Sequence, residues 1–389
     1  MSNTHSPPGA IVVGLCAHGI GMVRSLHRAG VRVIALEANP TLPGMRTHCA
    51  EIRIVPDINN EGLIDALVAL AKDKPDSQGD VLLLTNDKMV EVVGRHAEVV
   101  SRHFKLSWCH ATASLVPLLA KDQIEARCHD TGLNYPASIL LTDFDEAPQK
   151  LASLGFPVIA KPIRPVSAFK TQVSDSTDAF MSARTRMEAS MPIIAQEFIE
   201  GDDTTIRFGA LYLDAGRILA RFEGRKLRSR PMGHTTIAVS EPNDEVHSLV
   251  CKFFEGLNLS GPVSLELKRD PAGQYWVIEP TVGRTDFWAG LCAANGVDLT
   301  LLEYASTAKL PLPATMQRKT HLWVNGERDP GALFWLLFKA PQYLVGKRIE
   351  GVYFDFHDKG PFLISAWRFL ADIPKRAIRR SLRILRNPG

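Results

Sequence analysis

Residues 261–286 constrain the fold more than any other part of the chain, because they combine the pattern of two strands with two acidic side chains. Apolar and polar residues alternate from Val263 to Lys268, and this period of two is typical of a half-buried β-strand. A second run, residues 275–279, is rich in aromatic and β-branched side chains, and the Asp-Pro-Ala-Gly sequence before it favours a turn. The stretch therefore predicts a β-hairpin with Glu266 on its polar side.

The predicted register of this hairpin places Glu266 opposite Glu279. A loop of residues 271–274 sets that pairing and also places Lys268 opposite Val277. The Cβ atoms of directly opposed residues lie about 4.5 to 5.5 Å apart, a separation at which like charges repel each other. We therefore expect a cation between the carboxylates, and Mg²⁺ commonly takes one or two carboxylates together with phosphate oxygens. A solvated hairpin with both acids in water is the alternative that these residues leave open.

The composition is that of an ordinary globular protein, and 389 residues predict two or three domains. The six cysteines contain no CxxC pair, which argues against a disulfide framework or a structural zinc site and favours a reducing cytoplasm. The first ten residues lack the basic start and apolar core of a signal peptide, and the apolar run of residues 332–338 is too short to span a bilayer. We therefore expect a cytoplasmic location.

The positive charge of the chain is concentrated in its tail. Residues 366–389 carry seven basic side chains and one aspartate, a net charge of +6, whereas the whole chain carries only +3. The body is therefore slightly acidic, and no nucleic-acid partner is predicted. After Pro374 a helical stripe of Ile378, Leu382 and Leu385 is surrounded by arginines. Such a helix can rest on the inner face of an anionic membrane as a peripheral contact, or it can dock on its own domain.

The first part of the chain reads as a strand-helix-strand unit. A strand at residues 10–13 leads through a glycine-containing turn to a helix over residues 20–29 and a strand over residues 31–36. The glycines of the turn are not spaced as GxGxxG, which favours close packing over a dinucleotide site. A further strand, residues 81–84, ends next to Asp87, which either faces a ligand at the carboxyl end of the sheet or caps a helix.

Lysines, arginines and acids follow at the ends of later elements. Lys121 opens a helix, and a short apolar strand ends at Lys161. The loop after it, residues 162–168, contains no glycine but carries Arg164, and Lys170 begins the next strand. A strand over residues 192–199 precedes an acidic turn that includes Asp203. Basic residues between positions 221 and 230 suit a multiply anionic ligand, although a flexible solvated loop is the usual meaning of such a run.

The order of these elements resembles the ATP-grasp superfamily over roughly residues 10–310. The resemblance rests on the glycine turn, the lysine at a helix start, the strand ending in Lys-Pro, the sequence QEFIEGDD, and the hairpin with two glutamates. The sequence EPTVGRTD at residues 279–286 is similar to a carboxylate-amine ligase-like subgroup. The fold implied is α/β (α+β), with a Rossmann-like domain (1–112), an ATP-grasp small lobe (113–190), a large lobe (191–310) and a C-terminal extension (311–389).

This resemblance implies ATP and Mg²⁺, and it assigns roles to particular side chains. The lysines would contact phosphates, residues 196–199 would bind adenine through their backbone, and the aspartate would hold the ribose. The implied nucleotide contacts are Lys121, Lys161, Lys170, Gln196, Glu197, Phe198, Ile199 and Asp203. The implied metal ligands are Glu266 and Glu279, and the implied catalytic cations are Lys226 and Arg284.

Two features depart from the family pattern. Family members commonly have Glu-x-Asn after the second metal ligand, where this chain has Glu279-Pro280-Thr281. The phosphate-covering loop is usually rich in glycine, and without glycine it brings fewer backbone N–H groups to an anion, so Arg164 and Lys170 would supply charge instead.

The function implied by the resemblance is an ATP-dependent ligase acting on small molecules. It would activate a carboxylate as an acyl phosphate and join it to an amine, and such transfers depend on positioning and charge neutralisation. One alternative is a catalytically weak ATP-binding scaffold, motivated by Thr281 and the glycine-poor loop. A nicotinamide-dependent oxidoreductase is a further alternative, but it explains neither the paired glutamates nor Lys161.

Overall fold

The frame of the molecule is a set of three β-sheets with helices packed on them. The structure, a computed structural model, describes residues 7–163, 169, 171–230 and 235–371. Arg164 and Lys170 of the predicted phosphate loop, and the arginine-rich tail after Pro374, lie outside these residues.

The first sheet is parallel and has the strand order β3-β2-β1-β4. Its strands are β1 (Ala10–Val13), β2 (Val33–Glu37), β3 (Glu51–Ile54) and β4 (Val81–Leu84). The helices that accompany it are α1 (Ala17–Arg28), α2 (Glu61–Asp73), α3 (Asp87–Arg95) and α4 (Ala97–Ser101). A Cβ atom added to Gly19 would lie 1.8 Å from the carbonyl oxygen of Gly14. This glycine therefore permits close packing between the turn and the helix, as the spacing of the motif predicts.

The second sheet is antiparallel and has the order β5-β8-β6-β7. Its strands are β5 (Ser138–Leu141), β6 (Val158–Pro162), β7 (Gln172–Ser174) and β8 (Ile193–Glu197). The helices before and within it are α5 (Thr112–Leu115), α6 (Lys121–Thr131), α7 (Ala147–Leu151), α8 (Thr177–Ser182) and α9 (Arg184–Met187). A small core of its own, which includes Phe144 and Phe180, lies between the sheet and the short helices.

The third sheet has seven strands in the order β13-β12-β9-β10-β11-β14-β15. These strands are β9 (Ile206–Asp214), β10 (Arg217–Ser229), β11 (Thr235–Ser240), β12 (Gly261–Arg269), β13 (Tyr275–Val282), β14 (His321–Val324) and β15 (Arg348–Gly351). Its helices are α10 (Asp244–Phe254), α11 (Ala289–Ala294), α12 (Leu299–Thr307) and α13 (Ala332–Phe338). The last two strands come from the region predicted as a C-terminal extension, and they continue this sheet.

The basic run after residue 220 lies on a strand, so its interpretation as a flexible loop is wrong. Strand β10 continues to Ser229, and its arginines form ion pairs with acids of neighbouring elements. Arg225 contacts Glu241 at 3.0 Å, and Arg228 contacts Asp329 at 2.6 Å. A charge run looks the same in sequence whether its partners are water or distant acids.

One hydrophobic core joins the parallel sheet to the predicted hairpin. It contains Leu84 of β4 together with Leu265 of β12 and Val277 of β13. Trp108 lies in the same core and donates its indole N–H to the carbonyl oxygen of Gly283 at 2.8 Å. The hairpin is therefore held against the first sheet by apolar packing.

The segment after β15 returns to the first helix. Asp358 is buried and accepts a hydrogen bond from Arg24 of α1 at 2.8 Å, and Asp355 pairs with Arg28 one turn later. A helix over residues 360–371 follows. None of the helices within the described ranges has the length and apolar character needed to cross a bilayer.

Candidate active site around the glutamate pair

Strands β12 and β13 form the predicted hairpin, and Glu266 pairs with Glu279 as expected. The outer part of the predicted register is wrong. Ile278 has no partner, so Lys268 lies opposite Trp276 instead of Val277. This residue forms a β-bulge, which places two residues of one strand opposite one residue of the other. Alternation of residue types cannot reveal a single added position.

Strand β12 is buried on both faces, which corrects the prediction of a half-buried strand. Ser264 is 3% exposed and Glu266 is 7% exposed, although both belong to the polar side of the strand. The carboxylate of Glu266 accepts a hydrogen bond from Nζ of Lys226 at 2.8 Å. Glu279 is exposed at the same face. Part of the positive charge expected beside the two acids is therefore supplied by the protein.

The ion pair between Lys226 and Glu266 is held in a strongly acidic neighbourhood. Burial raises the pKa of Glu266, and Glu279 and Asp286 raise it further, while Lys226 acts in the opposite direction. Burial opposes the charge of Lys226, but Glu266, Glu279 and Asp286 together raise its pKa above the ordinary value. Lys226 is therefore a fixed cation of the site at neutral pH.

Two further lysines approach the exposed acid from the second sheet. Lys121 opens helix α6 and its Nζ lies 3.4 Å from the carbonyl oxygen of Pro162. Lys161, on β6, donates to the side-chain oxygen of Gln196 at 3.0 Å. Burial lowers the pKa of both lysines, that of Lys161 to about 8, and Glu279 counteracts the shift in each case. Within the described residues neither ammonium has an ion pair, since both contact neutral oxygens.

The segment predicted to bind adenine is partly engaged with the protein itself. Gln196 is buried, and its Nε2 lies 3.1 Å from Oγ of Ser138. The backbone N–H groups of Glu197 and Phe198 donate to carbonyl oxygens of neighbouring segments. For the N–H of Ile199, which follows them, the described part of the chain offers no acceptor. Gln196 thus positions Lys161, and Ile199 has the N–H that remains available at this edge.

Asp203 lies at the start of a short 3-10 helix, Asp203–Thr205, directly before β9. Burial raises the pKa of Asp203, whereas Lys226 and Lys268 lower it. Nζ of Lys268 also lies 4.6 Å from the ring centroid of Phe198. Through Lys268, these contacts bring Asp203 and Phe198 of the predicted adenine-binding segment to the same part of the hairpin.

Arg284 follows the hairpin and is anchored at the first sheet. Its Nε donates to Oδ1 of Asp87 at 2.7 Å, and its Nη1 donates to the carbonyl oxygen of Thr285 at 3.1 Å. Burial opposes its charge, but Asp87 and then Asp286 raise its pKa. Asn86, and not Asp87, caps helix α3, because its side chain accepts from the N–H of Met89. Asp87 therefore positions Arg284.

Asp286 belongs to the site, although sequence reasoning assigned it no role. It is 5% exposed and lies beneath the glutamate pair, where its Oδ2 accepts from the hydroxyls of Ser264 at 3.4 Å and Thr281 at 3.2 Å. Thr281 occupies the position where the resemblance leads one to expect asparagine, and its hydroxyl serves Asp286. The one available signal in the sequence was that Asp286 ends the EPTVGRTD motif. It lies after the alternating part of the strand, so the strand pattern does not predict where its side chain lies.

His18 is a second residue that the sequence did not reveal. Its Nε2 lies 2.7 Å from Oγ1 of Thr285, and its Nδ1 lies 3.4 Å from the carbonyl oxygen of Thr85. Since a carbonyl oxygen only accepts, Nδ1 carries the proton and Nε2 accepts from Thr285. Burial, together with Arg284, lowers the pKa of His18 to about 3. A neutral histidine thus joins α1 and β4 to the residue next to Arg284.

The acidic and basic side chains of the site suit a nucleoside triphosphate together with a divalent metal ion. Glu266 and Glu279 supply the hard oxygen ligands that Mg²⁺ prefers. Lys121 and Lys161 have partly buried ammonium groups without a counter-ion in the described structure, and phosphate oxygens would provide one. Lys226 and Arg284 both interact electrostatically with Glu279 and Asp286. The charges therefore surround a place that suits a metal-bound polyphosphate.

Comparison with family models gives no match. D-aspartate ligase of Enterococcus faecium (strain Aus0004) is 22% identical over 316 residues, which cover 74% of this chain and 74% of that ligase. Among solved structures, the ADP complex of N5-carboxyaminoimidazole ribonucleotide synthetase superposes with a TM-score of 0.66 at 14% identity, covering 87% of both chains.

A further solved structure contains the nucleotide together with its metal. It is the biotin carboxylase domain of Hydrogenobacter thermophilus 2-oxoglutarate carboxylase with MgADP, at a TM-score of 0.63 and 14% identity, covering 82% of this chain and 74% of that domain. These enzymes and this chain share a fold of mixed helices and sheets. The chain therefore has the ATP-grasp fold, and in sequence it is similar to an ATP-dependent carboxylate-amine ligase.

Proposed function

We propose that this ligase activates its carboxylate substrate as an acyl phosphate, and that the charges around Glu279 carry the reaction. The observation that supports this most is the pair of partly buried ammonium groups, Lys121 and Lys161, which interact with Glu279 and have no counter-ion of their own in the described structure. A lysine in contact with neutral oxygens alone gains a counter-ion when a phosphate enters. Both lysines would therefore bind phosphate oxygens of ATP.

We infer the remaining nucleotide contacts from the residues that lie near the same face of the hairpin. The N–H of Ile199 would donate to the adenine ring, and Phe198 and Lys268 would cover the base from the side of β12. Asp203 would accept from the ribose hydroxyls. Gln196 would hold Lys161 in place through the 3.0 Å contact between its side-chain oxygen and Nζ.

The metal would be held by Glu266 and Glu279, with Asp286 orienting the hydroxyls beneath them. Bound Mg²⁺ would neutralise phosphate charge and polarise the transferred phosphoryl group. Lys226 already occupies one oxygen of Glu266, so that carboxylate would be shared between an ammonium group and a metal ion.

The chemistry would proceed in two displacements. A carboxylate oxygen of the substrate attacks the γ-phosphorus of ATP, the bond to the β-phosphate breaks, and ADP leaves. The amine nitrogen then attacks the carbonyl carbon of the acyl phosphate, inorganic phosphate leaves, and the nitrogen loses one proton. Lys226 and Arg284 would stabilise the charge on the transferred phosphoryl group, and His18, through Thr285, would fix the position of Arg284.

An amino acid is the substrate class that we propose for one partner of the reaction. D-aspartate ligase, the curated relative, is named for an amino acid that it ligates. A separate proposal concerns the basic tail, in which residues 375–389 contact an anionic membrane. Its support is the charge pattern of the sequence alone.

The experiment is ADP release with a panel of amino acids as carboxylate and amine, comparing the wild type with Glu279→Gln. Because Glu279 is exposed, we expect the free energy of unfolding of the variant to lie within about 0.5 kcal/mol of the wild-type value. Its rate of ADP release should fall about 100-fold or more. The matched control is Glu125→Gln, an exposed acid of helix α6 with no assigned role.

Two outcomes would contradict the proposal in different ways. Full activity of Glu279→Gln would show that Glu279 is not a metal ligand needed for the reaction. MgATP binding without ADP release for any acid and amine pair would favour the scaffold function, for which the replacement of asparagine by Thr281 is the motivating observation.

A further inference from the structure

Large apolar side chains are exposed in the two segments that precede and follow β15, the edge strand of the seven-stranded sheet. They belong to helix α13, which precedes this strand, and to residues 352–371, which follow it. Phe338 is 66% exposed and Phe356 is 73% exposed. We refer to them as the β15-edge surface, whose main members are Leu333, Phe334, Leu337, Phe338, Phe356 and Trp367.

Helix α13 is apolar on both of its sides. Ala332 and Leu336 face inwards and pack with Leu322 of β14 in a small core. On the opposite side Phe334 and Phe338 lie one turn apart, with ring centroids separated by 4.4 Å. A helix of a soluble domain normally presents polar residues to water, so an apolar outer side indicates a second apolar partner.

Residues 332–371 carry five basic and three acidic side chains. The basic residues between positions 332 and 371 are Lys339, Lys347, Arg348, Lys359 and Arg368. No ion pair involves any of them in the described part of the chain. Two of the acids in the same segment, Asp355 and Asp358, are taken by arginines of helix α1. The segment therefore has unpaired cations beside exposed aromatic groups.

We propose that the β15-edge surface docks on an anionic lipid bilayer. Exposed phenylalanine, leucine and tryptophan side chains enter the boundary between headgroups and acyl chains, and neighbouring lysines and arginines contact acidic headgroups. A protein partner with an apolar interface would not require this excess of unpaired cations. The surface consists of folded residues and is separate from the tail.

The strand order of the sheet sets the distance between the candidate active site and the membrane. Strand β12, which carries Glu266, is five strand spacings from β15. At about 4.8 Å per strand the glutamate pair lies roughly 24 Å from the docking edge. The proposal is independent of the assigned catalytic roles, because it rests on other residues.

The test is co-sedimentation of the full chain with vesicles of phosphatidylcholine alone or mixed with phosphatidylglycerol. We expect binding to the anionic vesicles that weakens in high salt, and a partition coefficient about tenfold lower for the double variant Phe334→Ser, Phe338→Ser. The matched control is Ile54→Ser with Leu140→Ser, two apolar residues that are exposed elsewhere. Retained MgATP-induced thermal stabilisation shows that each variant is folded.

Three results would overturn the proposal. The first is the absence of binding to anionic vesicles. The second is binding that is unchanged by the phenylalanine substitutions and by the charge reversals Lys347→Glu and Arg348→Glu, which would assign the contact to the tail. The third is a dimer in size-exclusion chromatography that the phenylalanine substitutions convert to a monomer, which would assign the surface to a second copy.

Discussion

At the scale of single residues, Lys226 and Glu266 combine a buried structural contact with the roles in the reaction that we propose for them. Both side chains are buried and lie 2.8 Å apart, so each is the partner that allows the other to remain charged. Removing one partner of a buried ion pair leaves an uncompensated charge, which costs more than the pair contributes. The two roles can be separated by comparing stability with activity.

We predict that Lys226→Met or Glu266→Gln alone lowers the free energy of unfolding by about 3 to 5 kcal/mol. The double variant should regain most of that loss, because it leaves no unpaired charge, while ADP release remains absent. Urea unfolding of the four proteins measures the coupling between the two positions. Strictly additive losses would show that the pair is not the relevant contact.

Lys161 provides a prediction for pH. Its pKa is lowered to about 8 by burial, against an ordinary value of 10.5. Between these values the unfolded chain binds more protons, so this group destabilises the free protein below pH 8, and the loss disappears as the pH rises towards 10.5. A phosphate beside Lys161 favours its charged form. Binding of MgATP at pH 8 should therefore be accompanied by proton uptake.

Calorimetry of MgATP binding in two buffers with different ionisation enthalpies measures that uptake. We expect Lys161→Met to abolish it, whereas Lys72→Met, at an exposed position of helix α2, should leave it unchanged. Equal uptake in the wild type and Lys161→Met would assign the proton to another group.

Residue chemistry was the part of the site most accessible to sequence reasoning. The opposed glutamates and the lysine at the end of β6 were predicted because their positions follow from strand period and element order. Asp286 and His18 were not, since each acts through a contact with an element distant in sequence. The partner of Lys226 also belongs to a strand forty positions later, so its burial could not be predicted.

At the scale of elements, helix α1 connects the glycine turn to the loop that carries Arg284. His18 makes this connection as a neutral side chain, with a pKa lowered to about 3. The unfolded chain takes up the proton near pH 6.5, so the contribution of His18 to stability is present above pH 6.5 and is lost as the pH falls towards 3. The histidine acts as a positioning residue.

We predict that His18→Leu lowers kcat for ADP release about tenfold while the Kd of MgATP stays within twofold, because Arg284 loses its alignment and the phosphate lysines do not. His18→Gln should restore much of the rate, since its side-chain oxygen can accept from Thr285. Steady-state kinetics and calorimetry separate the two effects. An equal loss in both parameters, without rescue, would indicate a general structural defect.

The ends of a strand could be predicted where the strand is one continuous apolar run. They could not be predicted where polar residues form part of the strand. The run at residues 81–84 coincides with β4, because a buried parallel strand is continuously apolar. Strand β10 continues through the basic run to Ser229, because its arginines form ion pairs with acids on neighbouring elements. The bulge at Ile278 has no sequence signal of its own.

At the scale of the whole molecule, the two-lobed nucleotide site predicts which ligand stabilises the protein. At a free concentration of about 100 times its Kd, a ligand that binds only the folded state adds about 2.7 kcal/mol of stability. We expect MgATP to raise the Tm and NADPH to leave it unchanged, because Gly19 is used for packing against the turn. Lys161→Met should reduce the MgATP shift.

The reverse outcome, a shift with NADPH and none with MgATP, would restore the oxidoreductase alternative. The fold class could be predicted from the sequence, since strand runs, glycines and lysines keep their order along the chain. The continuation of the large sheet into β14 and β15 could not, because short strands after residue 320 carry no motif.

The apolar core shared by the parallel sheet and the hairpin has a consequence for how the protein comes apart. Leu84 and Leu265 lie in the same core although 181 positions separate them, so neither half can melt while the other keeps its packing. A chain cut near position 112 would yield two fragments that each expose half of this interface. Such fragments would need to reassociate before either could fold, and the nucleotide cleft would form only in the reunited pair.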